Sequence, residues 1–422
     1  MKYRLGDICT ITKGDTGIMK SIPGPYNMIT LGETDKTHNE FQFDTKAVII
    51  PLVSSTGHGH ASMKRVKYCE GKFALGNILC AVIPNNENFV LAKYLHIYLH
   101  WNREELLVSQ MKGMANVSLP MNRIADVMVT VPSIEKQREI IELEKQLVTK
   151  EVEADKLFAD QLTQVENLNQ AILQEAVQGK LVKQDPKDEP ASELLKRIKA
   201  EKAKSGKKEK PLSPITPEEI PFEIPQSWVW CRLGEITNYG SSPKAEPTDL
   251  KNETWVLDLE DIEKTTSNLL CKIRFNERNS LSTKSVFKKG DVLYSKLRPY
   301  LDKVIVADED GVCTTEILPL KCFSNLNPSY LKYALKRADF LKYVNSKTKG
   351  MKMPRLGTKE GVMALIPLPP LSEQKRIVAE LEKELAKTKQ LKEHITTNRQ
   401  ATEQLLKALL HQAFEVKESE TV

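Results

Sequence analysis

Apolar residues recur at spacings of three and four along two long stretches of the chain, and this pattern predicts two long amphipathic helices. The first stretch runs from Pro132 to Gly179 and contains no Gly or Pro between residues 133 and 178. At 1.5 Å per residue, a helix of this length would be about 65 Å long. Its apolar seam is predicted to consist of Ile140, Leu143, Leu147, Ala154, Leu157, Leu168 and Ala171. Such a seam is the heptad pattern of a helix that packs against another helix.

The second stretch, residues 369–416, repeats the first without a change of register. Gln374 corresponds to Gln137 and Ile377 to Ile140, each at an offset of 237 residues, and both stretches open on proline. Similar composition alone would not preserve the proline, the glutamine and the register together. The two helices are therefore interpreted as copies of one element.

A globular segment precedes each helix, and the two segments share their edges but little of their interiors. Residues 3–8 correspond to residues 231–236 at an offset of 228 residues. Two further matches are Lys93-Tyr94-Leu95 with Lys332-Tyr333-Ala334, and Lys112-Gly-Met114 with Lys349-Gly-Met351. The chain is therefore predicted to contain two copies of one unit, a globular domain followed by a long helix.

Short strands and one helix are predicted in each globular segment. In the first segment the predicted strands are 46–53, 73–83 and 127–131, and the helix is 90–107. In the second segment the strands are 291–295, 303–307, 316–322 and 363–368, and the helix is 328–345. Strands mixed with one or two helices, without regular alternation, predict the α+β class.

These patterns divide the chain into two globular domains, 1–132 and 228–368, two long helices, 133–179 and 369–416, a connector, 180–227, and a tail, 417–422. The connector carries seven prolines, which exclude a continuous element, although a short helix is predicted at 192–204. Residues 196–210 hold eight basic and two acidic side chains. This run is either a solvated linker or an arm that contacts phosphate.

The charge is unevenly divided along the chain. Residues 1–133 carry a net charge of +3 and residues 225–371 a net charge of +6, whereas the first helix, 134–178, carries −5. This division suits globular domains that face phosphate and helices that face protein. The N-terminus is too polar for a signal peptide, no run approaches eighteen apolar residues, and the seven cysteines form no CxxC pair. A cytoplasmic protein without disulfides or a zinc site is expected.

Sequence motifs of the common catalytic sites are missing. No GxGxxG, GxxxxGK[ST] or HExxH motif occurs, and the double proline at 369–370 lacks the preceding Asn or Asp of an amino-methyltransferase loop. Asp44 with Glu70 and Lys72 matches a nuclease triplet only loosely, and such triplets are frequent by chance. The sequence therefore predicts a binding protein with no catalytic residue, no metal and no cofactor of its own.

Two basic segments are candidate nucleic-acid contacts. Residues 290–303 predict a strand, a proline-containing turn and more strand, and residues 332–355 carry eight basic side chains against one acid. Arg and Lys there could bond guanine edges or phosphates, although a surface turn with solvated cations would give the same pattern. The candidate DNA-binding residues are Lys64, Arg65, Lys112 and Arg123 in the first domain and Lys296, Arg298, Lys303, Lys349, Lys352 and Arg355 in the second, with Tyr300 at the predicted turn.

The doubled architecture resembles the specificity subunit of type I restriction–modification systems. The resemblance is carried by Pro369-Pro-Leu-Ser-Glu-Gln-Lys-Arg-Ile377, by residues 225–236 and by residues 290–303, and it covers essentially the whole chain. The first copy departs mildly, because residues 52–60 lack an Arg-Pro pair and the first helix opens on Pro-Ser-Ile rather than Pro-Pro-Leu.

The resemblance implies that each globular domain is a target-recognition domain for one half of an interrupted DNA sequence. The two helices would pack antiparallel and set the gap between the halves. Two modification subunits that bind S-adenosylmethionine and methylate adenine would dock on the chain, and restriction subunits that use ATP and Mg²⁺ could join. Double-stranded DNA and these subunits are the implied partners, and no membrane is involved.

The apolar face of the first helix is wider than one seam, because Ile141, Val148 and Phe158 lie beside it. Partner helices are predicted to cover the excess. The candidate subunit-interface residues are Gln137, Ile141, Val148, Phe158, Gln374, Ile377, Leu381 and Leu385. Polar residues that could fix the register of the pair are Gln161, Gln164, Asn398 and Thr402. The alternative function is a coiled-coil scaffold whose globular ends bind other proteins.

Overall fold

A computed structural model describes residues 1–17, 21–55, 60–113, 117–204, 211–278 and 281–415. The chain forms two compact units: unit 1 comprises residues 1–160 and 395–422, and unit 2 comprises residues 161–394. Among the described residues, no helix has the length and apolar character needed to cross a membrane.

Unit 1 is built on a six-stranded sheet with short helices on one side. Its elements are β1 (Lys2–Arg4), α1 (Leu5–Ile8), β2 (Cys9–Lys13), β3 (Tyr26–Ile29), β4 (Lys36–His38), β5 (Phe43–Pro51), β6 (Lys67–Leu75), β7 (Leu79–Pro84), α2 (Ala92–Trp101), α3 (Arg103–Leu106), α4 (Met121–Ala125), β8 (Met128–Thr130) and the start of α5 (Ile134–Val177). The strand order is β2-β7-β5-β6-β3-β4, and within it β3 and β6 are parallel. β1 pairs with β8 in a separate two-stranded ladder that leads into α5.

Unit 2 contains three smaller sheets. Its elements are α6 (Ala191–Lys204), β9 (Val229–Arg232), α7 (Leu233–Ile236), β10 (Lys244–Ala245), β11 (Trp255–Leu257), β12 (Ile273–Arg274), α8 (Phe275–Arg278), β13 (Lys284–Phe287), β14 (Val292–Ser295), β15 (Val304–Val306), β16 (Gly311–Cys313), β17 (Ile317–Leu320), α9 (Pro328–Lys336), α10 (Ala338–Lys347), α11 (Thr358–Met363), β18 (Leu365–Leu368) and most of α12 (Leu371–Phe414). The sheets have the orders β10-β13-β16-β11-β12, β15-β14-β17 and β18-β9.

The two long helices form as predicted, each 44 residues long, and they pack against each other in antiparallel directions. Within unit 1, Arg399 Nε donates to Asp155 Oδ1 at 2.9 Å. Within unit 2, Thr388 Oγ1 donates to Asn169 Oδ1 at 2.6 Å. Later residues of α12 thus meet earlier residues of α5, which confirms the antiparallel pair. The predicted α+β class is confirmed as well.

The seam of the first helix differs from the prediction in its second half. Leu157 and Leu168 are 61% and 46% exposed, whereas Val165 is buried. The α-helix has 3.6 residues per turn, so the inward stripe drifts from a 3.5-residue repeat over several turns. Gln161 and Gln164 are exposed and lie outside the seam. Asn398 is exposed too, and Thr402 is partly buried but bonds the carbonyl of its own turn. The polar pair inside the seam is Asn169 with Thr388.

Several predicted elements are divided in the structure. The predicted strand 73–83 is two strands, because Leu79 N donates to Gly76 O at 2.9 Å and turns the chain between β6 and β7. The predicted helix 328–345 breaks at Arg337, whose backbone is extended and whose side chain is buried. The five-stranded sheet of unit 2 was not predicted from the sequence.

Equivalent hydrogen bonds in the two units correct one of the sequence matches. Tyr94 Oη donates to Thr130 O at 2.6 Å, and Tyr330 Oη donates to Pro367 O at 2.7 Å. Tyr94 therefore corresponds to Tyr330, and its match with Tyr333 was wrong by three residues. An error of three residues is nearly one helical turn, so it preserves the apolar face and is hard to detect from sequence.

The connector packs against unit 2. Ala191, Leu194 and Ile198 of α6 lie in the hydrophobic core of this unit. Further along, the buried Arg232 guanidinium donates to Ser213 O, Pro214 O and the Glu219 carboxylate. The structure therefore does not support a wholly solvated linker.

Buried histidine makes unit 1 sensitive to acid. Burial, with smaller contributions from the charges of Lys93 and His100, lowers the pKa of His96 to about 4. Below pH 6.5 the unfolded chain therefore binds more protons than the folded chain. The stabilisation of the fold that depends on neutral His96 is complete above pH 6.5 and is lost as the pH falls towards 4. We expect a loss of up to about 3 kcal/mol, measured by denaturant unfolding at pH 7.5 and 4.5. His96→Gln should reduce this pH dependence, and the same change at the exposed His60 should not.

Candidate nucleic-acid interface

Two loops of unit 2 join into one surface, here called the two-loop tip and defined as residues 296–303 and 349–356. Arg298 N donates to Pro354 O at 2.7 Å, and Leu356 N donates to Lys296 O at 2.9 Å. The tip brings together all six cations predicted for the second domain: Lys296, Arg298, Lys303, Lys349, Lys352 and Arg355.

The second loop of the tip is a tight hairpin. Lys349 and Arg355 exchange backbone hydrogen bonds of 3.1 and 3.0 Å. Gly350 has a φ of 102°, a conformation that glycine adopts without a steric penalty. The hairpin therefore holds Lys352 and the neighbouring Met351 and Met353 at an exposed turn.

The first loop is held in an unusual backbone conformation. Arg298 and Asp302 have left-handed φ values of 48° and 49° on either side of a 3-10 turn, Pro299–Leu301. Such non-glycine residues cost on the order of 1 kcal/mol each and persist only where their surroundings fix them. Lys336 Nζ supplies one fixing contact, because it donates to Asp302 Oδ2 at 2.6 Å. Burial nevertheless raises the pKa of Asp302 to about 6, against the opposing effect of Lys336.

The cations of the tip differ in exposure and in hydrogen-bond partners. Lys303 Nζ donates to Leu259 O at 2.7 Å, and burial lowers the pKa of Lys303. This lysine therefore fixes the loop through a hydrogen bond inside unit 2. Lys296 is partly buried, whereas Arg298 and Lys352 are exposed, and Arg298 Nη2 lies 3.4 Å from Lys352 O. Lys349 is largely exposed at 3.3 Å from Glu360. The outward cationic face is therefore formed by Arg298, Lys349, Lys352 and Arg355, beside the exposed ring of Tyr300.

Unit 1 repeats the backbone hydrogen bonds that frame this tip. Lys112 and Ser118 exchange backbone hydrogen bonds of 2.9 Å each, and Gly113 has a φ of 131°. Leu119 N donates to Leu52 O at 2.9 Å, as Leu356 does to Lys296 in unit 2. Residues 56–59 of the loop that lacks the Arg-Pro pair, and Met114 of the repeated motif, lie outside the described residues.

The remaining candidates of unit 1 are less concentrated. Lys64 is exposed, and its backbone N donates to Ser55 Oγ at 3.2 Å, next to the loop after β5. Arg65 is paired with Glu33 at 2.7 Å. Arg123 is partly buried on α4.

Four of the five cations in the described part of the basic connector run are bonded within unit 2. Arg197 donates to Glu189 at 2.7 Å, Lys199 lies 2.8 Å from Glu235, and Lys202 Nζ donates to Thr237 O at 2.8 Å. These contacts disfavour a free phosphate-binding arm over residues 196–204.

Most of the predicted subunit-interface residues pack within the chain. Gln137 and Gln374 are fully buried, Ile377 and Leu381 lie in the core of unit 2, and Ile141 and Leu385 pack against the cores of their units. Phe158 is partly buried in a cleft of unit 1, with Arg399 and Leu406 on its walls. Val148 is exposed, and the other exposed apolar residues of the two helices are Val152, Leu157, Leu168, Leu391, Leu405 and Leu409.

Glu316, which contacts the two-loop tip, was missed by sequence reasoning. Its carboxylate accepts hydrogen bonds from Arg355 Nε, although 39 residues separate the two along the chain. A search for clustered cations passes over a single acid, and the only signal in the sequence is its place at the start of the predicted strand 316–322.

A family model for the type I restriction modification DNA specificity domain matches residues 1–175 and 225–398. The chain therefore belongs to this family, and it carries two copies of the domain. The matches cover both globular domains and most of both long helices.

Two relatives in Escherichia coli are named specificity subunits of type I restriction enzymes. The chain is 36% identical to the type I restriction enzyme EcoAI specificity subunit over 279 residues, which are 62% of this chain and 46% of that protein. It is 27% identical to the EcoDI specificity subunit over 394 residues, or 93% of this chain and 82% of that protein. The aligned region thus spans about half the length of EcoAI and most of EcoDI.

Solved structures support the fold. The HsdS subunit from Thermoanaerobacter tengcongensis matches with a TM-score of 0.52 at 17% identity, covering 98% of this chain and 96% of that one. A chain from a study of complex assembly and conformational transition in the type I R-M system matches with a TM-score of 0.62 at 18% identity, covering 98% and 97%. At these identities the likeness shows the fold alone.

Proposed function

We propose that this chain is the non-catalytic DNA sequence-recognition subunit of a type I restriction–modification complex, with each globular domain reading one half of a bipartite site. The observation that carries the proposal is the tip, whose two loops are joined by equivalent backbone hydrogen bonds in both units but carry unlike side chains. A shared frame with different side chains suits two readers of different base sequences. The domain limits 1–132 and 228–368 are part of the proposal.

The long helices are proposed to act as a spacer between the half-sites and as the docking platform for two modification subunits. Leu157, Leu168 and Leu405 are exposed on helices that already have an inner seam, and exposed apolar side chains in such numbers indicate a protein partner. The modification subunits would supply S-adenosylmethionine and adenine methylation, and restriction subunits would supply ATP- and Mg²⁺-dependent cleavage. Such a complex would act on double-stranded DNA in the cytoplasm.

A gel-shift experiment separates this function from a protein-binding scaffold. Pooled duplex DNA is offered to the chain with and without a co-expressed modification subunit. Retention of a subset of sequences, weakened by salt, is expected, because neutralised phosphates release counterions. A complex that assembles but retains no DNA at low salt would favour the scaffold.

Lys352→Ala tests the tip as a phosphate contact. We expect weaker binding to all sequences alike and a fall of about 0.9 in the slope of log K against log salt. The matched control is Lys288→Ala, which removes an exposed lysine paired with Asp310 at the far end of β14. An unchanged slope for Lys352→Ala, or an equal fall for the control, would contradict this role.

A further inference from the structure

The guanidinium of Arg355 is fixed by a carboxylate at the tip. Arg355 Nε donates to both oxygens of Glu316, at 3.1 and 3.0 Å, while the arginine side chain stays 45% exposed. Nη1 has only a long contact of 3.5 Å to Met353 O, and within the described residues Nη2 has no protein hydrogen-bond partner. The pair therefore orients the guanidinium and leaves the Nη1–Nη2 edge available.

Glu316 connects this arginine to the rigid part of unit 2. Its carbonyl accepts a hydrogen bond from Lys296 N at 3.0 Å, and Ile317, the next residue, begins β17, which pairs with β14. One residue thus positions both the first loop of the tip and the Arg355 head group. A free arginine loses side-chain entropy on binding, and this arrangement removes part of that cost in advance.

Unit 1 lacks this pair on an otherwise matching frame. Ser118 takes the place of Arg355 in the hairpin, and Ile78 takes the place of Glu316, since Leu52 N donates to Ile78 O at 2.9 Å. The lysine and the positive-φ glycine that open the hairpin are shared by both units. The Arg355–Glu316 pair is therefore a point at which the two tips differ in chemistry.

We propose that Arg355, positioned by Glu316, reads a guanine in the half-site bound by unit 2, donating from Nη1 and Nη2 to guanine O6 and N7. This inference rests on the proposed function. An oriented planar fork matches the O6 and N7 acceptors of guanine in the major groove. The same fork can also bind phosphate bidentately, and the two tests below separate a base contact from a phosphate contact. Ser118 cannot make this contact, so unit 1 reads its half-site differently at the equivalent place.

The first test compares methylation motifs of complexes assembled with the modification subunits. Arg355→Ala should make one guanine position of one half-site degenerate and leave the other half unchanged. Glu316→Gln should relax the same position partially, without lowering the melting temperature. Lys349→Ala, in the same hairpin, should lower affinity while preserving the motif, and Lys288→Ala should change neither.

The second test works even if Arg355→Ala abolishes methylation. In a set of cognate duplexes, each guanine in turn is replaced by 7-deazaguanine, which lacks N7. Each duplex is then offered to the wild-type complex. Binding should fall about tenfold at one guanine, within the range for losing part of a bidentate contact, and the Arg355→Ala complex should not distinguish the modified duplex.

Equal sensitivity of the wild-type and Arg355→Ala complexes at every guanine would overturn the inference, as would relaxation at a position other than guanine. These outcomes leave the proposed function standing, because the wild-type complex would still prefer its bipartite site. Absence of any sequence preference in the wild-type complex would instead reject the proposed function itself.

Discussion

Replacing residues 1–132 with the corresponding domain of a relative should change one half of the recognised DNA sequence and leave the other half as it was. The tip of unit 2 is made entirely from residues 296–356, and its contacts come from unit 2. Among the described residues, the hydrogen bonds that join the two loops of this tip are all formed within unit 2. The methylation motif of the chimeric complex is the measurement.

The exchange should succeed only if the new domain fits the helix on which it sits. Gln137 Oε1 accepts a hydrogen bond from Leu91 N at 2.8 Å, and Gln137 Nε2 donates to Phe89 O at 3.0 Å. These are backbone groups, so a relative with the same loop before α2 can supply them. The reciprocal exchange of residues 228–368 is the control and should change the other half only. A change in both halves after a single exchange would contradict the modular account.

Replacing either repeated glutamine by methionine should destabilise the unit that contains it by about 2–4 kcal/mol. Gln374 repeats two contacts of Gln137. Its Oε1 accepts from Asn327 N at 2.9 Å, as Gln137 Oε1 accepts from Leu91 N. Its Nε2 donates to Pro369 O at 3.0 Å, as Gln137 Nε2 donates to Pro132 O at 2.9 Å. Methionine preserves the volume but leaves a buried N–H and carbonyl groups without partners, each at about 1–3 kcal/mol.

Denaturant unfolding of Gln137→Met and Gln374→Met measures this effect. Gln164→Met is the matched control, since Gln164 is exposed on α5, and it should lie within about 0.5 kcal/mol of the wild type. A loss below about 1 kcal/mol for both buried glutamines would show that these contacts do not hold the domains on their helices.

The glutamines show how far sequence reasoning reaches. Their repetition at a constant offset is visible in the sequence and marks them as important. Their contacts are not visible, because the partners are backbone groups 46 and 47 residues away along the chain. From the sequence they were predicted to lie at a subunit interface, whereas in the structure they are buried against the chain's own loops.

The long helices were predictable because period and repeat are local properties of the sequence. The phase of the seam was not, because it depends on how two helices twist around each other. The two-loop tip was predicted only as separate basic segments, since residues 296–303 and 349–356 meet through long-range backbone bonds. The role of Glu316 can be recognised only in the structure, where these backbone bonds bring Arg355 beside it.

Sequencing of methylated adenines in cells that carry this chain and its modification subunits tests the central claim most directly. The account predicts a motif of two short, unlike halves separated by a fixed number of unspecified base pairs. A contiguous motif, or an assembled and active complex that methylates without sequence preference, would contradict it.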